Sequence, residues 1–250
     1  MIALEFPPLG HIVDWPELVG DNTWGINKVV IIYGLAALFT ILLFTLGNKK
    51  QLVPAGSQNL AEMSVEFVED QIVLPTLGHE GLKWTPYLAA LFFFIFFCNI
   101  FEIIPFFQMP ATARIALPMV LALLSYVLYH GAGFVEHGPF GYLKHALVPP
   151  GVPVALLLLV VPIEFISKFL VQPFSHTVRL FANLLAGHLL LLFMGGGLAV
   201  LLGLAALGVA TFPLAFAFFV LEVGLIATLQ AFIFATLTAI YIGGAVAQSH

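Results

Sequence analysis

Long apolar runs separated by short polar segments make up most of the chain. The runs lie at 29–46, 84–107, 115–135, 152–171, 174–208 and 209–243. A helix needs about 20 apolar residues to cross the ~30 Å hydrocarbon core of a bilayer. The first three runs therefore predict single crossings, and the whole pattern predicts an all-α, polytopic membrane helix bundle.

The fourth run is long enough to cross a membrane but contains polar residues and a proline. Pro162, Glu164 and Lys168 lie within it. Two interpretations remain open for 152–171: a crossing helix, or a short or re-entrant segment that leads into the following helix.

The last two runs each span 35 residues. As straight helices they would each be about 50 Å long, which exceeds an upright crossing. The helices must therefore tilt strongly or break, and the glycines at 195–197 and the segment 211–213 are the natural break points. We expect the bundle to end in two long, tilted, antiparallel helices, a helical hairpin over 174–243. The alternative is three or four shorter crossings.

A further segment, 58–74, has the pattern of an amphipathic helix. Apolar and acidic positions recur at helical spacing on opposite sides, Leu60, Met63 and Phe67 against Glu62, Glu66 and Glu69. Asn59 with Glu62 resembles a capping box, and Pro75 is expected to end the helix. An acidic face is not attracted to anionic lipid, so we expect an interfacial helix that docks on a partner protein.

The composition agrees with a membrane protein. Only 21 of the 250 residues are charged, eight Lys or Arg and thirteen Asp or Glu, while 61% are apolar. Soluble domains carry about 25% charged residues. Soluble and disordered classes are therefore excluded, and the net charge of −5 argues against a nucleic-acid partner. Residues 1–250 are expected to form one integral membrane domain in contact with lipid, with Cys98 as a buried thiol.

The distribution of basic residues predicts the orientation. Lys49 and Lys50 follow the first apolar run, whereas the preceding segment 1–28 is mainly acidic. Basic residues near the ends of membrane spans favour the cytoplasmic side. We therefore expect 1–28 to be an external N-terminal segment and the C-terminus to be cytoplasmic. Lys144 fits this orientation, and Arg114 is a minor exception.

Five ionisable residues lie inside the apolar runs: Glu102, Glu164, Lys168, Arg179 and Glu222. Each costs at least ~2.5–3.5 kcal/mol at the centre of a bilayer, so each is a functional candidate unless it is paired. Glu164 and Lys168 stand four residues apart in the favourable order and are expected to neutralise each other.

Arg179 is the outstanding candidate because a guanidinium remains protonated in proteins and acts as a fixed cation. Small residues lie on the same side of its helix, namely Ala182, Ala186 and Gly187. Such faces allow another helix to approach closely. The alternative is an arginine paired permanently with Glu102, Glu164 or Glu222.

Polar residues in the same regions could complete a path for protons. His188 titrates near neutral pH when unperturbed, and Gln230 can both donate and accept a hydrogen bond. Asn99 and Glu102 share one side of a helix. Nucleotide-binding, metal-binding and zinc-protease motifs are missing from the sequence, so no cofactor and no metal are expected.

Three of these stretches resemble a known family. Residues 179–183 (Arg-Leu-Phe-Ala-Asn) with 186–188 (Ala-Gly-His) are similar to the signature helix of subunit a of F-type ATP synthases. Residues 229–234 (Leu-Gln-Ala-Phe-Ile-Phe) resemble the last helix of that family, and Asn99, Glu102 and Pro105 match an earlier Asn-x-x-acid-x-x-Pro element. The similarity covers essentially the whole chain.

The resemblance implies the stationary half of a rotary proton path in the bacterial plasma membrane, a subunit that is not an enzyme on its own. In that family, two offset half-channels reach the middle of the membrane from opposite sides, and a ring of c subunits turns past them. The implied partners are the c-ring, the b-type peripheral stalk subunits and, indirectly, the F1 head. Arg179 would hold a passing carboxylate in its ionised form and block direct proton leakage.

The same resemblance implies residues that line the half-channels or orient the arginine: Asn183, His188, Gln230, Glu222, Asn99 and Glu102. One of them departs from the family pattern. The family places its last-helix acid seven residues before the glutamine, where this chain has Val223, whereas Glu222 stands eight before Gln230. Either a helix bulge restores the alignment, or Glu222 points about 100° away.

Two functions are weighed on these residues. The first is the proton-channel subunit of a rotary ATP synthase. The alternative is a stand-alone secondary transporter in which Arg179 binds an anionic substrate. The coupling ion, H⁺ or Na⁺, is not readable from the chain because its binding carboxyl belongs to the partner ring.

Overall fold

The computed structural model describes residues 28–47, 56–101, 115–148, 152–192 and 227–247, together with positions 213, 216, 217 and 220. Throughout these ranges the chain is helical and contains no strand. The predicted all-α helix bundle is therefore confirmed. Several predicted residues lie outside the description: segment 1–27, Glu102, Glu222, and the side chains of Asn183 and His188.

Helix α1, Lys28–Leu46, corresponds to the first predicted crossing. One side of it is buried: Val29, Ile32 and Ala36 pack with Cys98 and Phe101, which come later in the sequence. Other apolar side chains of α1 are exposed on the protein surface, among them Val30, Leu38 and Ile41. A helix that is apolar on all sides yet buried on only one is typical of contact with lipid.

Helix α2, Ser57–Val68, passes through a π-helical turn at Glu69–Val73 into the short helix α3, Leu74–Leu77. The expectation that Pro75 ends this segment was wrong. Pro75 lies in the first turn of α3, where a proline is tolerated, and Gly78 with φ of 64° ends the helix.

The capping box at Asn59 and Glu62 was also wrong. Gly56 is the N-cap of α2, and no side chain caps it. The Glu62 carboxylate accepts a hydrogen bond from Gln58 Nε2 at 2.7 Å instead. The helix starts earlier than its acidic pattern indicated, so Asn59 lies inside the first turn rather than before it.

The interfacial, amphipathic character of α2 stays a prediction, and the structure shows which of its sides the bundle covers. Ala61 and Val68 are buried against the bundle, whereas Leu60, Met63 and Phe67 are exposed. The apolar stripe of α2 therefore faces away from the protein core. This arrangement suits a helix lying at a membrane surface.

Helix α4, Thr85–Ile100, follows a 3₁₀ turn at His79–Trp84. Its buried side is formed by Leu88, Ile95 and Cys98, together with the fully buried amide of Asn99. The predicted burial of Cys98 is confirmed.

Helix α5, Ala116–Leu147, is longer than the run 115–135 that predicted it. It breaks at Gly138, whose φ of 70° and ψ of 165° are not helical, and Pro139 follows. The chain then folds back, so that the Tyr142 hydroxyl and His130 Nδ1 lie 2.6 Å apart. A Cβ on Gly133 would clash with the Tyr142 ring, so glycine permits this close return.

Helix α6, Val154–Ile166, continues through a second π-helical turn at Ser167–Val171 into α7, Gln172–Leu192. The polar residues of the fourth run therefore do not interrupt the helix. The segment continues directly into α7, which carries Arg179. The turn of the expected hairpin lies in the range 193–226, outside the described residues except for four positions. The hairpin over 174–243 stays a prediction.

Helix α8, Ala227–Val246, lies at the centre and packs against α4, α5 and α7. Its buried residues include Phe234, Ala239 and Ile242. Within the described ranges, four helical segments are long and apolar enough to cross a membrane, at 79–100, 116–147, 156–182 and 228–246, with a shorter apolar helix at 29–45. The predicted polytopic character is confirmed.

Candidate functional site

Arg179 lies on α7, and its side chain is exposed on the surface of this chain. The next residue, Leu180, is fully buried in the core that α7 shares with α8. The alternation follows from helix geometry, since adjacent residues point about 100° apart. One side of α7 is therefore anchored in the bundle while the guanidinium lies at its outer surface.

Pairing explains Glu164 and Lys168 but not Arg179. Glu164 Oε2 and Lys168 Nζ are 3.2 Å apart, so their predicted ion pair is confirmed. Within the described ranges, no carboxylate lies within salt-bridge distance of Arg179. Of the permanent partners considered above, Glu164 is thus committed elsewhere, and Glu102 and Glu222 fall outside the description.

His176 stands three residues before Arg179 and is only 4% exposed. Its Nε2 lies 3.3 Å from the Thr238 hydroxyl of α8, and its ring centroid is 3.8 Å from that of Phe234. The Tyr241 ring lies 5.7 Å away on the same helix. His176 was not predicted as a site residue, because its partner Thr238 is distant in the sequence.

Two of the predicted path residues, Gln230 and Asn99, lie on neighbouring helices. Gln230 is 2% exposed on α8, and Asn99 is fully buried on α4. Helices α4 and α8 pack against each other, and both amides are buried. The side chains of Asn183 and His188 and the whole of Glu102 and Glu222 lie outside the description, so the structure does not place them beside Arg179.

An inner cavity of ≈ 230 Å³ lies between α5, α7 and α8. Its polar lining was not predicted and consists of Tyr129, His130, Tyr142, Lys168, Gln172 and Tyr241. Tyr129 donates a hydrogen bond to Gln172 Oε1 at 3.5 Å, and Lys168 donates one to the Ala146 carbonyl at 2.6 Å. The Tyr129 and Tyr241 rings are 5.6 Å apart, which links this lining to the surroundings of His176.

An outer cavity of ≈ 570 Å³ adjoins the inner one. Its charged lining comprises Glu80, Lys83 and Glu136, near the carboxyl end of α8. Gly244 lines both cavities. Polar side chains therefore extend from this end of the bundle towards the helix turn that carries His176 and Arg179. Among the described residues, no group of three His, Cys, Asp or Glu side chains could hold a metal ion.

Comparison with known proteins gives a consistent picture. The family model of the ATP synthase A chain matches residues 29–243. Proteins named ATP synthase subunit a are similar over nearly the whole chain. That of Frankia alni is 42% identical, covering 92% of this chain and 81% of the relative. That of Rhodococcus erythropolis is 38% identical, covering 94% and 88%, and that of Nocardioides sp. is 39% identical, covering 98% and 91%. With its helical membrane bundle and its exposed intramembrane arginine, the chain belongs to the ATP synthase A chain family.

Proposed function

We propose that this chain is the stationary proton-channel subunit of a rotary F-type ATP synthase in a bacterial plasma membrane. Two offset half-channels would load and unload protons on a c-ring that turns past the chain. The subunit is not an enzyme on its own, because the chemistry of ATP formation would take place in the F1 head. Membership of the ATP synthase A chain family supports this function.

The observation that carries the proposal is the surface on which Arg179 lies. Between positions 156 and 175, just before Arg179, no side chain is fully buried by the rest of the chain. Leu158 and Phe174, for example, are 87% and 69% exposed. Arg179 follows this exposed stretch on the same continuous helix, and no carboxylate of the described residues pairs with it, so an anion on a partner subunit would stabilise its charge. A ring of helices that each carry one carboxyl group would supply such an anion.

Arg179 then works through its permanent charge. A carboxylate of the ring is attracted to the guanidinium in its ionised form, so it must release its proton into one half-channel before passing. It takes up a proton from the other half-channel after it has passed. Because the cation lies between the two half-channels, a proton cannot move directly from one to the other. Each proton transferred supplies ~2.3 kcal/mol per 100 mV of membrane potential.

The adjoining cavities support a half-channel at one end of the bundle. The outer cavity has Glu80, Lys83 and Glu136 at its wall, and the inner cavity has Lys168 and polar aromatic groups. Such linings can hold water, which needs two to four polar partners in a cavity. From the positions of the basic residues, we propose that this end is cytoplasmic, with segment 1–28 outside the cell and the C-terminus inside.

The opposite half-channel would involve the remaining predicted residues. Asn99 and Gln230 are buried on adjacent helices, α4 and α8. We assign Asn183, His188, Glu102 and Glu222 to the same path on the family resemblance. The proposed protein partners are the c-ring, b-type peripheral stalk subunits at the interfacial helix α2, and the F1 head through the stalk.

Replacement of Arg179 with alanine tests the function. In membrane vesicles that contain the assembled complex, Arg179→Ala should abolish ATP synthesis driven by a proton gradient, because nothing then enforces release of the proton. Lys144→Ala removes an exposed cation away from the proposed site and should leave synthesis unchanged. Normal synthesis in an assembled Arg179→Ala complex would contradict the proposal.

A further inference from the structure

His176 is a buried polar side chain three residues before Arg179, next to the buried Thr177. Only 4% of the surface of His176 is exposed. A histidine costs free energy to bury unless its polar atoms are satisfied. Its retention one helical turn before the exposed arginine calls for a physical explanation.

The hydrogen bonds of Thr238 determine which ring nitrogen of His176 carries the proton. The Thr238 hydroxyl donates its single hydrogen to the Phe234 carbonyl at 2.9 Å. The 3.3 Å contact with His176 Nε2 must then run the other way, with Nε2–H donating to Thr238 Oγ1. In a neutral ring this leaves Nδ1 as a bare acceptor.

That acceptor is buried and has no hydrogen-bond partner among the described residues. Side chains three apart on a helix are neighbours, with Cβ atoms about 5–6 Å apart. Arg179 follows one turn later on the same helix, and its guanidinium carries five N–H donors on a long side chain, none of which is hydrogen-bonded to Nδ1 in the structure. Tyr241 and Thr238, on the facing helix α8, are the other polar groups described around His176.

We propose that His176 is a positioning residue for Arg179, whose guanidinium donates an N–H, directly or through one water, to His176 Nδ1. The inference rests on the proposed function. Between the passage of two ring carboxylates the guanidinium has no anion opposite it. A neutral acceptor then holds it at the interface without competing as strongly as a carboxylate would. When the next carboxylate arrives, the guanidinium forms a stronger charge-assisted bond with that carboxylate, which replaces the bond to His176.

Two variants separate the two nitrogens of the ring. In His176→Asn the amide oxygen takes the place of Nδ1, so the acceptor for Arg179 is kept and the bond to Thr238 is lost. In His176→Gln the amide nitrogen takes the place of Nε2, so the bond to Thr238 is kept and the Nδ1 acceptor is lost. His176→Phe retains the ring packing and removes both.

The rate of ATP synthesis driven by a proton gradient, measured in vesicles with matched amounts of assembled complex, decides between the roles. His176→Phe and His176→Gln should each lower the rate about tenfold, which is the effect of losing a hydrogen bond to a charged group. His176→Asn and Thr238→Val should remain within about twofold of the unsubstituted complex. Thr177→Val is the matched control, since the buried Thr177 hydroxyl bonds only to the Pro173 carbonyl of its own helix.

The pH dependence gives a second readout. A guanidinium that is displaced stabilises the ionised ring carboxylate less, so protons should be released only at a higher pH. The pH profile of the His176→Gln complex should therefore shift upward relative to that of His176→Asn. If the bond between His176 and Thr238 of α8 were what mattered, His176→Gln would be active and His176→Asn inactive. That result would overturn the proposal. Equal activity of both variants, with or without a defect in His176→Phe, would overturn it as well.

Arg179→Ala in the same vesicles distinguishes a failure of the proposed function from a failure of the role proposed for His176. If Arg179→Ala supports normal synthesis, the proposed function itself is wrong. If Arg179→Ala is inactive while the His176 variants fail to show the expected pattern, only the role of His176 is wrong.

Discussion

At the scale of single residues, Arg179 differs from the other intramembrane charges in lacking a partner within the described part of the chain. Glu164 and Lys168 satisfy each other at 3.2 Å. Arg179 instead lies on the exposed side of α7, one residue from the fully buried Leu180. Its desolvation must therefore be compensated by a group that the chain does not supply from these ranges.

Arg179→Lys tests whether charge alone is sufficient. Lysine keeps the positive charge but replaces a planar fork of five donors with a compact ammonium. We expect ATP synthesis driven by a proton gradient to fall at least tenfold in assembled complexes. Synthesis at the unsubstituted rate would mean that any cation at this position serves.

At the scale of helices, α5 illustrates how a single backbone position changes an element. The break at Gly138 returns the chain so that Tyr142 contacts His130 and packs on Gly133. This return builds the wall of the inner cavity, since both Tyr142 and His130 line it.

The close approach at Gly133 predicts a defect from one added methyl group. A Cβ at this position would clash with the Tyr142 ring and would lie 3.1 Å from the Ala245 carbonyl. Gly133→Ala should destabilise the folded subunit by about 1–3 kcal/mol, as overpacking does in other cores. Thermal unfolding of the solubilised complex measures it. Gly131→Ala is the control, because no atom lies within 4 Å of its added Cβ. Equal melting temperatures would show that the fold-back adjusts freely.

The exposed stripe of α2 predicts different environments for its two sides. Met63 belongs to the apolar stripe and Glu66 to the acidic face, and both are exposed on the chain. With Cys98→Ser as background, a cysteine replacing Glu66 should react with a membrane-impermeant maleimide in inside-out vesicles. A cysteine replacing Met63 should react at least severalfold more slowly because lipid covers it. The opposite order, or labelling only in right-side-out vesicles, would contradict the proposed placement of α2 on the cytoplasmic surface.

At the scale of the whole molecule, the chain buries one side of its bundle and leaves another uncovered. Helix α8 packs among α4, α5 and α7, whereas no side chain between positions 156 and 175 is fully buried by the rest of the chain. An apolar surface with an unpaired cation at its edge is typical of a subunit in a larger membrane assembly.

This surface predicts that the subunit is isolated as part of a complex. In mild detergent it should co-elute with c subunits, b-type stalk subunits and the catalytic head. Mass spectrometry of the purified fraction identifies them. A monomer that transports an anionic solute in vesicles would instead support the alternative of a stand-alone transporter.

Several candidate site residues were accessible from local sequence. Arg179, Gln230 and Asn99 were singled out because polar groups are costly in apolar runs, and the Glu164–Lys168 pair followed from a spacing of four residues. His176 and the lining of the inner cavity were missed. Their partners, such as Thr238 for His176 and Gln172 for Tyr129, are distant in sequence and become neighbours only when α5, α7 and α8 pack.

The sequence by itself determined the membrane class, the helical bundle and the intramembrane cation, because hydropathy, helical periodicity and charge scarcity are properties of short segments. Only the tertiary structure decided that 154–192 is continuous and that α5 folds back at Gly138. It also decided that His176 lies against α8 while Arg179 faces outward. These features depend on which helix faces pack together, and that choice is made by contacts between residues far apart in the chain.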